Sequence, residues 1–582
     1  MIVIDIESHA IEDGMPLLPK PVGIAIRWPT GKSQYFAFGH PEGNNCSWEE
    51  AAAVVHGIWD AEWVTHNGLT FDVPVLEHWF KMPPRDPLLT HDTLFMAYLH
   101  NPHARSLSLK ELAQDWLSMK PEARDELHTW IVRNVPECRT TKQAGAYICR
   151  APGGLVGKYA SSDTEMTYNL FMHLQSVLEH MQEPYDRERR LAPIIVEMQN
   201  RGVRCDVAKL ATDTEVSIKK LHDADNKVRK MLCTPHLNPG SNKDLGNALK
   251  NVGCNNFLTT PSGAVSVAKD SLDKALADRP ELREVLNLRH TLSTLTGTFM
   301  QPWLEIAERA GGTIHASYNQ VRNPDGFGTR TGRLSSSKPN FQNVPNDLGP
   351  EFPVMRSYLL PDEGHVWTCG DFSSQEPRIA AHFEDGQLME AYKADPRMDP
   401  YIYVLELVGG INRKESKAIF LGILYAQGAA LLAEKLGCDI SRANMLRNMI
   451  KAALTDVVRL ATECKNRFQR GLPLRTLGGR LYYCEPPSGG RDWSYKALNT
   501  LIQGSAADQT KEAIIFANKE IKLLDSSCRV LGTVHDEYSI SHPPHLLSKV
   551  REIMQLAANA LPCDVPMIMD AVSGNTWAEA AK

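Results

Sequence analysis

Short apolar runs that end on acidic residues recur along this chain. The first, Met1-Ile-Val-Ile-Asp5-Ile-Glu7, reads as a β-strand beginning at the first residue. Asp5 and Glu7 are two apart on it and project to one face. The run Trp63-Val-Thr-His-Asn67-Gly-Leu-Thr-Phe71-Asp72 predicts a strand that enters a loop and ends on an acid. Tyr159-Ala-Ser-Ser-Asp163 opens a helical pattern continuing through Leu174, and its spacing puts Tyr159 and Asp163 on one helix face. Residues from about 186 to 310 read as long helices. Val366-Trp-Thr-Cys-Gly370 then predicts a buried strand with Asp371 at its end, where a carboxylate is costly unless it is paired or binds a metal. Far downstream, Val530-Leu-Gly-Thr-Val534 runs into His535-Asp536-Glu537-Tyr538, which reads as a hairpin with acids at its tip. The longest apolar stretch, Ala418 to Ala433, contains Gln427 and two glycines and is shorter than a spanning helix needs, so it predicts buried helix and turn.

Composition narrows the class. A chain of 582 residues implies several domains, and 43% hydrophobic with 23% charged residues is the balance of a soluble globular protein. The net charge of -6 counts against a uniformly basic nucleic-acid binder but allows local basic clusters beside acidic metal sites. The 12 cysteines include no C-x-x-C pair and no zinc-spaced cluster, so they read as reduced thiols in a cytoplasmic compartment. The N-terminal apolar run is too short and too acidic for a signal peptide.

The residues themselves point to two acidic centres. Asp5, Glu7, Asp72 and Asp163, from three segments, form a plausible oxygen-ligand set for two divalent metals, although any one alone would read as a surface or capping acid. Asp371 and Asp536, with Glu537 beside them, form the second set, suited to in-line phosphoryl displacement. Between its two acids lies Arg413-Lys-Glu-Ser-Lys417-Ala-Ile-Phe-Leu421-Gly-Ile-Leu-Tyr425. Arg413, Lys417 and Leu421 step by four, each drifting only about 40° around a helix. Two cations on one stripe can grip a triphosphate, and the alternative is a solvated basic edge. The basic run from Glu215 to Leu232 is either a solvated helix face or a track for a nucleic-acid backbone. Leu237-Asn-Pro-Gly-Ser-Asn-Lys243 presents polar groups and backbone at a helix start, which suits phosphate.

Jointly these segments resemble known families. D-x-E at Asp5, N-x-x-x-F-D ending at Asp72 and Y-x-x-x-D at Tyr159 resemble the DEDD 3′–5′ exonucleases, as do His91-Asp92-Thr93 and Ser106 to Ala113. That resemblance implies that Asp5, Glu7, Asp72 and Asp163 hold two divalent metals (Mg2+, Mn2+ or Zn2+) and that Tyr159 orients the attacking water. The basic helical block is similar to the thumb of DNA polymerase I, with Lys243 as a DNA contact. Thr331-Gly-Arg333-Leu-Ser-Ser336, with Gly326-Phe327 upstream, and Pro339-Asn-Phe-Gln-Asn-Val-Pro345 resemble family A DNA polymerases. So do Asp371-Phe-Ser-Ser-Gln-Glu376-Pro-Arg378, the helix from Arg413 to Tyr425, Arg475-Thr-Leu-Gly-Gly-Arg480, Asn499-Thr-Leu-Ile-Gln503 and Val534 to Glu537. By that resemblance Asp371 and Asp536 bind two Mg2+ or Mn2+ ions, with the Phe372 carbonyl nearby and Glu537 as a supporting acid. Arg413 and Lys417 bind the triphosphate of the incoming dNTP, and Lys417 is a candidate general acid. Glu376 is a steric gate against the 2′-hydroxyl, the alternative being a partner for Arg378, and Tyr425 stacks near the templating base. Arg333, Asn499, Gln503 and His535 contact primer-template DNA, Gln503 through minor-groove acceptors that test pair geometry.

The implied architecture is a mixed α/β multidomain chain: a ribonuclease H-like exonuclease domain at 1–185, a helical thumb at 186–310, a first palm part at 311–385, fingers at 386–489 and a second palm part at 490–582. Three positions depart from the family pattern. Leu421 stands where an aromatic is usual, Ala426 where a glycine is, and Tyr401 where a phosphate-binding histidine is common. Phe420 lies about 100° around the helix from Leu421 and does not simply substitute. The chain begins at the exonuclease, which leaves no room for a 5′ nuclease, and the thumb shows no thioredoxin-binding insertion. These features predict a phage-encoded replicative polymerase in the host cytoplasm, with helicase, primase or single-strand-binding protein as further partners and no membrane. A repair polymerase, a single-subunit RNA polymerase and an exonuclease with an inactive polymerase half are the competing readings.

Overall fold

The computed structural model describes residues 1–260, 263–322 and 328–581. Gly326 and Phe327 lie outside the described residues. The first unit is built on a five-stranded sheet of β1 (Ile2–Ser8), β2 (Pro21–Arg27), β3 (Ser33–Ala37), β4 (Trp63–Thr65) and β5 (Thr90–Asp92). Its order is β3-β2-β1-β4-β5, with β1 antiparallel to β2 and parallel to β4. Unlike a strand with one wet face, β2 is buried at every residue, because the helix Gly153–His173 covers one side of the sheet and the helix Trp48–Ile58 lies across the other core. The Gly153–His173 helix starts six residues before Tyr159, behind the pair Gly153-Gly154 that disguises its beginning in the sequence.

The helix Gln175–Arg201 carries the chain from this unit into the next and crosses the expected boundary at residue 185. It contains Pro184, and its one non-helical residue is Met181, at φ -137° and ψ 34°. A proline ring clashes with the carbonyl four residues earlier, and that accounts for the kink. Beyond it stand the paired helices Val207–Met231 and Pro280–Thr294, which carry the small apolar core around Leu245, Leu249, Leu272 and Leu286 at their far end. Ser241 caps the helix Asn242–Asn251 by accepting from the Asp244 amide.

The largest core surrounds an antiparallel four-stranded sheet in the order Arg529–Val534, Glu537–His542, Val366–Phe372, Met569–Gly574. Trp367 stacks on Trp577 with ring centroids 5.9 Å apart beneath it. The helix Ala497–Leu524 backs this sheet. Between the first and second of its strands in chain order, a cluster of helices from Pro400 to Gln469 rises over the sheet, led by the helix Arg413–Leu424. The predicted buried helix and turn at 418–433 is the end of that helix, a turn, and the start of the helix Ala429–Leu436.

Candidate active sites

In the first unit β1 brings Asp5 and Glu7 to the face covered by the Gly153–His173 helix, whose buried side carries Tyr159 and Asp163. Oxygen atoms of Asp5, Glu7 and Asp163 lie within 4.8 Å of one another. Asp72 joins from the start of the helix Asp72–Trp79 and accepts from the Ile6 amide at 2.9 Å. Burial raises the carboxyls of this group: Glu7, beside Asp163 and Asp72, is pushed up to about 8, and Asp72, beside Asp92, to about 7. Asp5 is raised well above the usual carboxylate range by burial and by its acidic neighbours, and its Oδ2 is buried without a hydrogen bond among the described residues. Four buried carboxyls with an orphaned oxygen fit hard divalent cations held by oxygen ligands. His91 and Asp92 are structural here. Asp92 accepts from the Asn67, Leu69 and Leu94 amides, so it pins the loop before Asp72, while His91 pairs with Glu62 at 3.0 Å.

In the four-stranded sheet Asp371 sits directly across from Glu537 on one side and from Asp570 on the other. Directly opposed residues share a sheet face, and like charges there repel, so the row requires cations. One is Arg356, whose Nη1 lies 3.6 Å from Glu537 while its guanidinium stacks on Trp577 at 4.3 Å. Burial raises the Glu537 carboxyl. The hairpin tip is His535-Asp536, and the Asp536 carbonyl accepts from the Phe372 amide at 3.2 Å, which draws the tip against the end of the Asp371 strand. His535 has φ 56°, a left-handed conformation that a two-residue hairpin requires and that favours glycine. A histidine held there is a strained residue at a functional tip. Asp570 has the same signature as Asp371, an acid ending the apolar run Val565 to Met569, and that signal could have found it in the sequence.

Glu376 does not pair with Arg378. It accepts from Arg333 on one oxygen and from the Tyr425 hydroxyl on the other, while Arg378 donates to the carbonyls of Ser373, Pro396 and Pro566. Burial raises the Glu376 carboxyl despite the Arg333 contact, and Asp536 adds to the rise. Arg413 and Lys417 are exposed on one stripe of their helix. Both lie 5.5 Å from the centre of the Tyr401 ring, which sits buried between their helix and its neighbour. Arg413 also pairs with Asp399, whose other oxygen caps the helix Pro400–Val408. Leu421 and Tyr425 are half-buried, whereas Phe420 is fully buried against Tyr401 and points into the core. Ala426 closes the helix with φ 52°.

Gln503 and Asn499 share a face of the Ala497–Leu524 helix, and both are half-buried. Arg333 and His535 line one small cavity together with Gln375 and Thr510. Lys243 is exposed on the first turn of its helix, in a cleft with Lys250 and His290. Asp508, in the same string as Gln503, is fully buried and structural. With Glu188 it surrounds the buried Arg480, at 3.3 and 2.7 Å, and Lys511 reaches both Glu188 oxygens at 2.7 and 2.8 Å. Glu188 lies on the kinked helix just past residue 185, so this ion cluster fixes that helix to the sheet domain. The Tyr98 hydroxyl adds a second tie by donating to the Thr329 carbonyl at 2.9 Å.

Comparison with known proteins agrees with this geometry. Residues 207–579 match the family model for DNA polymerase family A, and residues 31–179 match that for a 3′-5′ exonuclease. The chain is similar to a DNA-directed DNA polymerase of Pseudomonas phage M6, 28% identical over 73% of this chain and 71% of that protein. It is also similar to DNA polymerase DpoZ of Acinetobacter phage SH-Ab 15497, 27% identical over 89% of this chain and 87% of its relative. DNA polymerase I of Bacillus subtilis is 29% identical over 68% of this chain, which spans 45% of that longer protein. In fold the chain matches the polymerase domain of Pol1 from M. smegmatis, solved with DNA primer-template and dNTP, at a TM-score of 0.79 and 22% identity, covering 100% of this chain and 96% of that one. The chain belongs to DNA polymerase family A and is a DNA-directed DNA polymerase with an N-terminal 3′–5′ exonuclease domain.

Proposed function

We propose that the two acidic centres are two separate metal-dependent sites, one that extends a primer and one that trims it. The observation that carries this reading is the row Glu537, Asp371, Asp570 on one sheet face beside the Asp536 tip, under a helix that presents two exposed cations. Asp371 and Asp536 would hold two Mg2+ or Mn2+ ions. Such ions lower the pKa of a bound hydroxyl and neutralise charge on a transferring phosphoryl group.

The chain's own groups do the rest. Arg413 and Lys417 bind the triphosphate as a fork and a point charge. Lys417 would protonate the departing pyrophosphate, and Glu537 would support the Asp536 carboxylate. Glu376 is anchored by Arg333 and Tyr425, so its carboxyl cannot swing aside to admit a 2′-hydroxyl. Arg333, Gln503, Asn499 and His535 contact the nascent pair and the primer end, and Lys243 contacts the duplex backbone. In the other site Asp5, Glu7, Asp72 and Asp163 would hold two divalent metals, and Tyr159 would orient the attacking water.

The domain limits of this reading are exonuclease 1–185, thumb 186–310, palm 311–385 and 490–582, and fingers 386–489. Primer-template DNA and dNTPs are the substrates, and the similar phage enzymes favour viral DNA replication in a bacterial cytoplasm. Among the described residues no helix is long and apolar enough to cross a membrane. Primer extension and single-strand digestion, measured side by side, test the assignment. Asp536→Ala should abolish extension and spare digestion, and Asp5→Ala with Glu7→Ala should do the reverse. Equal loss of both activities in either variant would sink the two-site reading.

A further inference from the structure

Lys110 stands apart from the acids and tyrosine assigned to the exonuclease site. It lies on the helix Leu109–Leu117, which packs against the Gly153–His173 helix. Its Nζ donates to the Tyr159 hydroxyl at 2.8 Å and forms an ion pair with Asp163 Oδ2. The same Nζ lies 4.4 Å from the centre of the Tyr159 ring. Only 16% of the Lys110 side chain is exposed, and Asp163 is at 5%. Tyr159 and Asp163 are one helical turn apart, so a single ammonium bridges the two groups at their tips. Asp5 and Glu7 lie beside the Asp163 carboxyl, and among the described residues Asp5 Oδ2 is buried without a hydrogen bond.

We propose that Lys110 is a positioning residue of the exonuclease site that doubles as its internal counter-ion. An ammonium with three donors can hold a phenol oxygen and a carboxylate at once. By donating to the Tyr159 oxygen, Lys110 occupies one of its lone pairs and fixes the phenol, leaving the Tyr159 proton free to point toward other groups. By pairing with Asp163, it offsets part of the repulsion within the acidic cluster. Lys110 and a divalent cation therefore draw on the same Asp163 carboxylate. Removing Lys110 should tighten metal binding, yet slow hydrolysis because Tyr159 loses its anchor. A purely structural lysine would not produce these opposite effects.

This inference rests on the proposed assignment of Asp5, Glu7, Asp72 and Asp163 to metal binding. The test is therefore built in two layers on the full chain. Mn2+ binding is measured by electron paramagnetic resonance in an Asp371→Ala, Asp536→Ala background, which removes the polymerase ligands. Adding Asp5→Ala and Glu7→Ala should abolish the remaining sites, and survival of those sites would overturn the underlying assignment. Adding Lys110→Met instead should lower the Mn2+ dissociation constant at least threefold. In the otherwise wild-type chain, Lys110→Met should cut single-strand digestion at saturating Mn2+ at least tenfold and leave primer extension unchanged, which shows that the chain is folded. Lys110→Arg, which keeps the charge and a donor, should restore part of the digestion rate. Unchanged or weaker Mn2+ binding by Lys110→Met, or an unchanged digestion rate at saturation, would overturn the role given to Lys110 even with the metal ligands confirmed.

Discussion

The buried carboxyls of the exonuclease site make the metal-free protein sensitive to pH in a direction opposite to that of ordinary salt-bridged acids. Glu7 is held at about 8 against an ordinary value of 4.5, and Asp72 at about 7 against 3.8. A folded-state value above the unfolded one means that the folded chain binds more protons between the two. Stability contributed by the protonated acids is then fully present below about pH 4 and is lost as pH rises through 7 to 8. At about 1.4 kcal/mol for each unit of pKa, Glu7 alone would account for roughly 5 kcal/mol. The acids titrate as a set and Lys110 relieves part of their repulsion, so we expect a total on the order of 3–5 kcal/mol in EDTA. Divalent metal reverses the loss, because a ligand at a hundred times its dissociation constant adds about 2.7 kcal/mol. The assay is scanning calorimetry from pH 5 to 9, with EDTA or with Mg2+, on the native chain and on Asp5→Asn with Glu7→Gln. The exonuclease transition should move down with pH in EDTA, hold nearly level in Mg2+, and in the double amide lose the Mg2+ response and keep only the smaller pH response of Asp72 and Asp163. A transition in EDTA that is flat over this range, or a Mg2+ shift that survives in the double amide, would refute the reasoning.

Other perturbations give separate readings. Glu376→Ala should raise ribonucleotide incorporation at least tenfold in single-nucleotide extension, because the anchored carboxyl is gone, and an unchanged rNTP/dNTP ratio would remove its gate role. Leu421→Tyr should raise dideoxynucleotide incorporation, read as the ddNTP/dNTP ratio on the same template. Ala426→Gly should stabilise the folded chain by about 0.5 kcal/mol, since a non-glycine at φ 52° costs about 1–2 kcal/mol and glycine gives back part of that as unfolded-state entropy. A rise in thermal midpoint checks it. Glu188→Ala leaves Arg480 and Lys511, each 1% exposed, short of their shared carboxylate, and should cost about 3–5 kcal/mol in denaturant unfolding.

How much of this could be read beforehand depended on the distance along the chain over which each arrangement is set. The grouping of the candidate acids was legible because their geometry is local: two apart on β1, four apart on one helix, or at a hairpin tip. The order of the motifs supplied the fold class, since each motif occupies one fixed place in the architecture it resembles. Asp570 was missed although its apolar run is visible, because nothing in the sequence says that Met569–Gly574 pairs beside Asp371 rather than at a sheet edge. The partners of Glu376 were missed because Arg378 is the nearer cation in sequence, while Arg333 and Tyr425 are 43 and 49 residues away. Glu188 is the extreme case. It sits in an amphipathic helix where a solvated glutamate is the ordinary reading, and its partners Arg480 and Lys511 lie 292 and 323 positions on. Ions that far apart in sequence can be buried only after the helix and the sheet domain have docked, so the cluster reports on assembly and not on any one element. It follows that the candidate catalytic acids of this polymerase are specified locally, while the buried ions that hold the helix Gln175–Arg201 against the sheet domain are specified only by the completed fold.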